Sequence, residues 1–294
     1  MSKAALALTG EIGRSIPNVL VRRDPGVNAA PVVFDIPRSG FTYPRDFQPD
    51  AQFVDVQRGV SMYVEELYGG APAAGANWLF AEFPNSYIDA NRHQLDIDPK
   101  LIDGEWPEPL KPTRKSELGI GLIHSVCRTG DLPLYSSKLA VEDVQHRLDA
   151  YYWPYHNELS DILKRHRAAK GVAYHVSCHS MASIGGHATI DHGSERSEFD
   201  IGDGNGKTCK PEFVELVVET LRGFGHQVTV NKHYAGAESI HKHADPANGI
   251  HSLQIEIKRG IYMDERKFIR SPRFAEIRGH LDQLAQAICA YAGR

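Results

Sequence analysis

At 294 residues, with 41% apolar and 24% charged side chains, the chain can build a real core as one large domain or two small ones. A formal net charge of −4 and the lack of any like-charge run argue against nucleic acid or a membrane surface as partner, and no apolar stretch is long enough to span a membrane. The four cysteines, Cys127, Cys178, Cys209 and Cys289, form no C-x-x-C pair, which speaks against a zinc ribbon and fits a reducing cytoplasm.

Met1 to Gly10 holds too short an apolar run for a secretion signal, so a cytoplasmic protein is expected. Pro31 to Ile36 reads as a buried strand closed by Pro37. Gln52 to Tyr68 has helical apolar spacing and stops at Gly69-Gly70. Asn77 to Phe83 reads as a second strand, and the proline- and charge-rich stretch from Pro99 to Leu118 as a surface loop. A long helix is predicted over Val141 to Ala169, bent or broken near Pro154. Gly171 to Cys178 reads as a third strand, then Ile184 to Asn205 as a long loop rich in Gly, His and Asp. Pro211 to Phe224 reads as a helix with proline at its start, Gln227 to Val230 and Ser252 to Ile257 as strands, and Arg273 to Tyr291 as a closing helix. This alternation predicts an α/β fold, a mixed and mostly parallel sheet with helices on both faces. No linker divides it, so residues 1–294 read as a single domain.

In open α/β sheets, ligands bind beyond the carboxyl ends of the strands. Four segments fall there: Pro37-Arg38-Ser39-Gly40, Asp89-Ala90-Asn91-Arg92, Ser177-Cys178-His179-Ser180-Met181, and Gln254-Ile255-Glu256-Ile257 with Tyr262-Met263-Asp264-Glu265. Further matches are Tyr135 after Asp131-Leu132-Pro133-Leu134, Trp153-Pro154-Tyr155-His156, Ile201-Gly202-Asp203, Thr208-Cys209, Asn231, Tyr234-Ala235-Gly236 and His251. In this order the segments resemble the N-formylglutamate amidohydrolase family, relatives of the zinc carboxypeptidases, from about Pro31 to Glu265.

The resemblance implies a phosphorylase/hydrolase-like or zinc carboxypeptidase-like fold and hydrolysis of a linear amide in a small carboxylate substrate. It implies Glu256, Arg38 and His179 at the catalytic position, and Asn91, Arg92, Tyr234, Arg128 and Asp203 as substrate-binding residues. Arg92 is the candidate carboxylate clamp, because its planar fork matches a carboxylate. Zinc is the implied cofactor, since bound zinc brings the pKa of water near 7 and Glu256 can then move the proton.

The family's first metal-ligand histidine is Arg38 here, its acidic pair falls on Val60-Ser61, and the Asp before its late histidine is Ser177. Of three implied ligands His179 remains. His233, His241 and His243 are candidate replacements in the loop after the Gln227–Val230 strand, so a rebuilt metal site and none at all both stay open. His124 lies in a segment resembling a family active-site loop. His175, Ser177 and His179 share one strand face. Cys178 on the other face reads as packed core rather than nucleophile. Gly202 to Gly206 does not read as a phosphate loop, because the helix after it starts too late. Three functions follow: an amidohydrolase on an N-acylated amino acid, a metal-free protein that binds a small acid, or metal-independent chemistry using Glu256 and Arg38. The oligomeric state is left open.

Overall fold

A computed structural model describes residues 8–26, 29–127, 132–186, 189 and 191–294. Its main sheet has eight strands: β1 (Glu11–Ile16), β2 (Leu20–Asp24), β3 (Val32–Ile36), β4 (Asn77–Ala81), β5 (Ala173–Met181), β6 (Phe199–Gly202), β7 (Val228–Val230) and β8 (Ile250–Lys258). They lie in the order β1-β2-β4-β3-β5-β8-β6-β7. The central four, β4, β3, β5 and β8, are parallel. β2 and β6 flank them antiparallel, and β1 and β7 complete the edges. The sheet is therefore mixed and mostly parallel, as the alternation predicts.

Around it lie α1 (Phe53–Gln57), α2 (Val64–Leu67), α3 (Val141–Arg147), α4 (Trp153–Lys170), α5 (Pro211–Gly223), α6 (Glu238–His243) and α7 (Phe274–Ala292). One face of the sheet packs Phe34, Val176, Cys178 and Ile255 against Phe213 and Val217 of α5 and Leu281 and Ile288 of α7. The other packs Val33, Leu79 and Ala173 against Leu159, Ile162 and Leu163 of α4. Each fully buried aliphatic side chain contributes about 1.5–3 kcal/mol. Among the described residues no helix is long and apolar enough to cross a membrane.

The central strands alternate differently on their two faces. In β3, β5 and β8 the residues Phe34, Val176, Cys178, Leu253 and Ile255 enter the apolar core. Asp35, His175, Ser177, His179, Ser252, Gln254 and Glu256 take the opposite parity and are also buried. Register lines them up: Asp35 beside Ser177, Ser177 beside Gln254, and His179 beside Glu256. A buried polar band thus crosses three strands, and the candidate functional residues sit at its carboxyl end.

Four sequence readings need correction. The helix expected over 52–68 is two short helices, because the chain between them bends so that the Ser61 amide donates to the Arg38 carbonyl (2.9 Å). Tyr63 takes a left-handed φ of 68° at that bend. The loop expected over 184–205 contains β6, whose Phe199 and Ile201 alternate with Asp200. The loop after β7 contains α6. The hairpin β1–β2 was not foreseen, since β1 is mostly solvent-exposed and carries no apolar alternation. Near Pro154 the long helix does change: a π-helical turn at Leu148–Tyr152 joins α3 to α4, and the proline sits in the first turn of α4, where it needs no amide partner.

Candidate active site

The pocket lies beyond the carboxyl ends of the parallel strands. It is a cavity of about 510 Å³ whose walls include Arg38, Asn91, Arg92, Tyr234, Gln254 and Glu256. Arg38 follows β3 directly, while Asn91 and Arg92 come from the loop after β4. Glu256 ends the polar face of β8, beside His179 of β5.

Asp89 organises one side. Its Oδ2 accepts from Arg38 Nη2 at 2.6 Å and lies 3.1 Å from His124 Nε2, while Oδ1 accepts from the Asn91 amide at 3.0 Å. Burial opposes ionisation of this carboxyl, yet Arg38, Arg92 and His124 hold it well below the usual range. Arg38 is thus fixed as a cation against the pocket wall.

Arg92 is held differently. Its Nε donates to the Ile120 carbonyl at 3.0 Å and its Nη1 to the Asn91 carbonyl at 2.8 Å. Arg92 is only 8% exposed, and no carboxylate among the described residues lies within ion-pair distance of it. A buried guanidinium held by neutral carbonyls at a cavity wall keeps its charge for an incoming anion.

The Asn91 amide group lies 3.2 Å from His179 Nε2, and Ser177 Oγ lies 2.9 Å from the same nitrogen. Burial, then Arg38, push the His179 imidazole down to about 3, so it is neutral near pH 7. Asn91 Oδ1 in turn accepts from the Ser239 amide at 2.8 Å, and Ser239 Oγ donates to Asp35 at 3.0 Å. Asp35 also lies 2.8 Å from His175 Nε2. Burial disfavours its charge, but His175 holds it down at about 2. This face of the pocket therefore rests on a layer of hydrogen-bonded polar groups beneath it. Gln254 Nε2 donates to Glu256 at 3.0 Å and aims that carboxylate.

The donors at the implied zinc position do not fit the ion. Arg38 is a guanidinium, already paired with Asp89, and has no lone pair to offer. Val60 and Ser61 supply no carboxylate, and Ser61 is buried with its amide on Arg38. His179 leaves one buried ring nitrogen, Nδ1, without a hydrogen-bond partner, and one imidazole does not make a zinc site. The candidate replacements do not assemble either. His233 Nδ1 is 2.7 Å from Asp191, and its Nε2 accepts from the Ser197 amide. His241 is exposed on α6, and His243 Nε2 lies 2.9 Å from His156 Nδ1. Among the described residues no group of three or more His, Cys, Asp or Glu is placed to hold a metal.

Asp203 lies off the pocket wall. Its Oδ1 accepts from the Gly206 amide at 2.8 Å and from Asn231 Nδ2 at 2.7 Å, which shapes the loop after β6. Tyr234 does line the pocket, its amide donating to Asp200 and its ring 5.1 Å from the Arg196 guanidinium. Arg128 and Asp131 lie outside the described residues. Sequence reasoning missed Asp35 and Ser239, and placed Gln254 in a segment at the strand ends without giving it a role. Asp35 did carry a signal, as a lone carboxylate inside the apolar strand Val32-Val33-Phe34-Asp35-Ile36. Ser239 carried none.

Comparison with known proteins agrees with this geometry. The family model described as N-formylglutamate amidohydrolase matches residues 30–263. The chain is similar to an N-formylglutamate deformylase of Pseudomonas putida, 28% identical over 236 residues that cover 78% of this chain and 80% of that protein. A crystal structure of N-formylglutamate amidohydrolase from Ralstonia eutropha JMP134 superposes with a TM-score of 0.88 at 36% identity, covering 94% of this chain and 99% of that one. A protein from Agrobacterium tumefaciens shares the fold, with a TM-score of 0.68 at 17% identity over 94% of this chain and 97% of that one. The match over most of the length and the four pocket-forming segments have one reading: the chain belongs to the N-formylglutamate amidohydrolase family.

Proposed function

We propose that this protein hydrolyses the amide of an N-acylated amino acid with a free carboxylate, of the N-formylglutamate kind, and does so without the zinc site of a metallohydrolase. The observation that carries the carboxylate end is Arg92, a buried guanidinium on the pocket wall with two carbonyls and, among the described residues, no acid within ion-pair distance. Family membership supports the amide bond as the target.

The chemistry needs only groups on the wall. Glu256 takes a proton from water, and the resulting hydroxide adds to the acyl carbon. Arg38 faces the oxyanion that develops there, a fixed cation that needs no reorganisation. Glu256 then returns the proton to the nitrogen as the C–N bond breaks, which gives a carboxylic acid and a free amino acid. The mismatched metal donors favour a second reading, a protein that holds a small acid without turning it over.

The test is release of free amino acid from N-formyl- and N-acyl-L-glutamate, with and without a chelator. Chelator-resistant turnover that collapses in Glu256→Gln is expected. Arg92→Ala weakens substrate binding by about 2–4 kcal/mol, and Arg92→Lys does not restore it because a point charge cannot reproduce the fork. Binding without product in every condition establishes the second reading instead.

A further inference from the structure

A second cavity of about 450 Å³ adjoins the first, and the two share Lys115, Leu118, Thr189 and Tyr234 in their walls. The second is largely apolar, with Val60, Met62, Leu118, Ile120, Val126 and Met263 in its lining. A formyl group, one carbon and one oxygen, leaves nearly all of that space unused. Burial of apolar surface would reward a longer acyl chain there, at about 0.8 kcal/mol for each methylene.

The cavity also holds a cation. Arg259 lies in its wall, with Nε donating to Ser180 Oγ at 3.0 Å and Nη1 donating to the Arg58 carbonyl at 3.0 Å. Among the described residues no carboxylate is within ion-pair distance of Arg259. Of the other cations on this wall, Arg196 pairs with Asp191 at 2.7 Å and Arg58 with Asp55 at 3.5 Å, Lys115 lies where the two cavities meet and Arg266 is exposed, while the acid there, Glu265, accepts from the Ser183 amide at 3.1 Å. Arg259 thus repeats the arrangement of Arg92, a guanidinium positioned by neutral oxygens and open to an anion. Ser180, which positions it, also lines the first cavity, so the two lobes meet at the end of β5.

Resting on the amidohydrolase reading above, we infer that the second cavity is the acyl subsite and that it takes an ω-carboxyacyl group, with an apolar chain along the wall and a terminal carboxylate on Arg259. The substrate class is then an amino acid N-acylated by a dicarboxylic acid, anchored at its two ends by Arg92 and Arg259 with the amide between them. Hydrolysis adds water across the C–N bond and releases the dicarboxylic acid and the free amino acid.

The probes are N-formyl-, N-hexanoyl- and N-adipoyl-L-glutamate, assayed for glutamate release and, by calorimetry, for binding. The expected order of kcat/KM is adipoyl, then hexanoyl, then formyl. In Arg259→Gln the preference for adipoyl over hexanoyl falls by about 10- to 100-fold, the loss expected for a charge-assisted hydrogen-bonded contact. Arg259→Lys does not restore it, because, as at Arg92, a point charge cannot reproduce the fork, and a loss confined to the adipoyl compound is what a merely structural role would not produce. A best rate on the formyl compound, or an equal loss on all three in Arg259→Gln, overturns the acyl subsite while the amidohydrolase reading stands. Adipoyl binding tighter than formyl binding with no glutamate released has the opposite meaning: the subsite stands and hydrolysis does not. No binding of any probe overturns both.

Discussion

Arg38 and Arg92 enter the same cavity with different partners, and that difference sets their roles. Arg38 is paired with Asp89, which holds the cation in place. Arg92 donates to carbonyls only among the described residues and remains available to an anion. With a cation where the metal would sit, purified protein is expected to carry well under one equivalent of zinc by elemental analysis. Arg38→His alone should not bring tight binding, because Val60 and Ser61 still give no carboxylate; stoichiometric zinc in either protein contradicts this. Glu65 is a second residue-scale case. It is buried, and burial pushes its carboxyl up to about 7 although Ser39 donates to it. An unfolded glutamic acid titrates near 4.3. Below that pH both states are protonated and nothing is lost. As pH rises towards 7 the unfolded chain releases a proton that the folded chain keeps, so stability falls. Glu65→Gln removes that penalty. Its urea midpoint should gain on the wild type by an amount equivalent to about 2–3 kcal/mol between pH 4 and pH 8; a gap that does not vary with pH refutes the account.

At the scale of elements, β5 shows how one strand serves two faces. Tyr174, Val176 and Cys178 join the apolar core. His175, Ser177 and His179 join the polar band, where each finds a partner: His175 with Asp35 and Ser252, and Ser177 with His179. Asp35 of β3 is the hub, touching His175, Ser239 of α6 and Tyr155 of α4. One carboxylate therefore ties two helices to two strands beneath the site. Asp35→Asn keeps the shape but removes the charge that these groups complement, and it should destabilise the fold by about 3–5 kcal/mol in urea unfolding. A loss under about 1 kcal/mol, the scale of an ordinary neutral hydrogen bond, places the hub elsewhere.

Over the whole molecule, buried neutral imidazoles set the acid limit. Burial, then Lys242, lower His156 to about 3, and burial, then Arg38, lower His179 to about 3. The unfolded chain protonates its histidines near 6.5. The stability these two contribute is therefore complete above that pH and is lost as pH falls towards 3. At pH 5 the loss amounts to about 2 kcal/mol for each, opposed by the relief at Glu65. Thermal unfolding should show Tm falling from pH 7 to pH 5, and His156→Gln should flatten that slope. An unchanged slope in the variant assigns the acid sensitivity to other groups.

The sequence by itself determined the sheet's central strands and the residues that end them. Alternation in β5 and β8 is a local, period-two property, and strand ends are where such folds place ligands. That sufficed to bring Arg38, Asn91, Arg92, His179 and Glu256 to one end of the sheet before any coordinates. It also told that Arg38 cannot ligate zinc, because donor chemistry belongs to the residue type. Only the tertiary structure decided what the new histidines do. His233, His241 and His243 are close in sequence, but the bend after β7 and the helix α6 send them to Asp191, to solvent and to His156. It alone showed that, among the described residues, Arg92 and Arg259 have no acid within ion-pair distance while Arg38 has one, because ion pairing depends on which loops meet across 51 residues of chain, as Arg38 and Asp89 do. Loop encounters of that range leave no periodic trace in the sequence, since they depend on the sheet order that brings distant strand ends together.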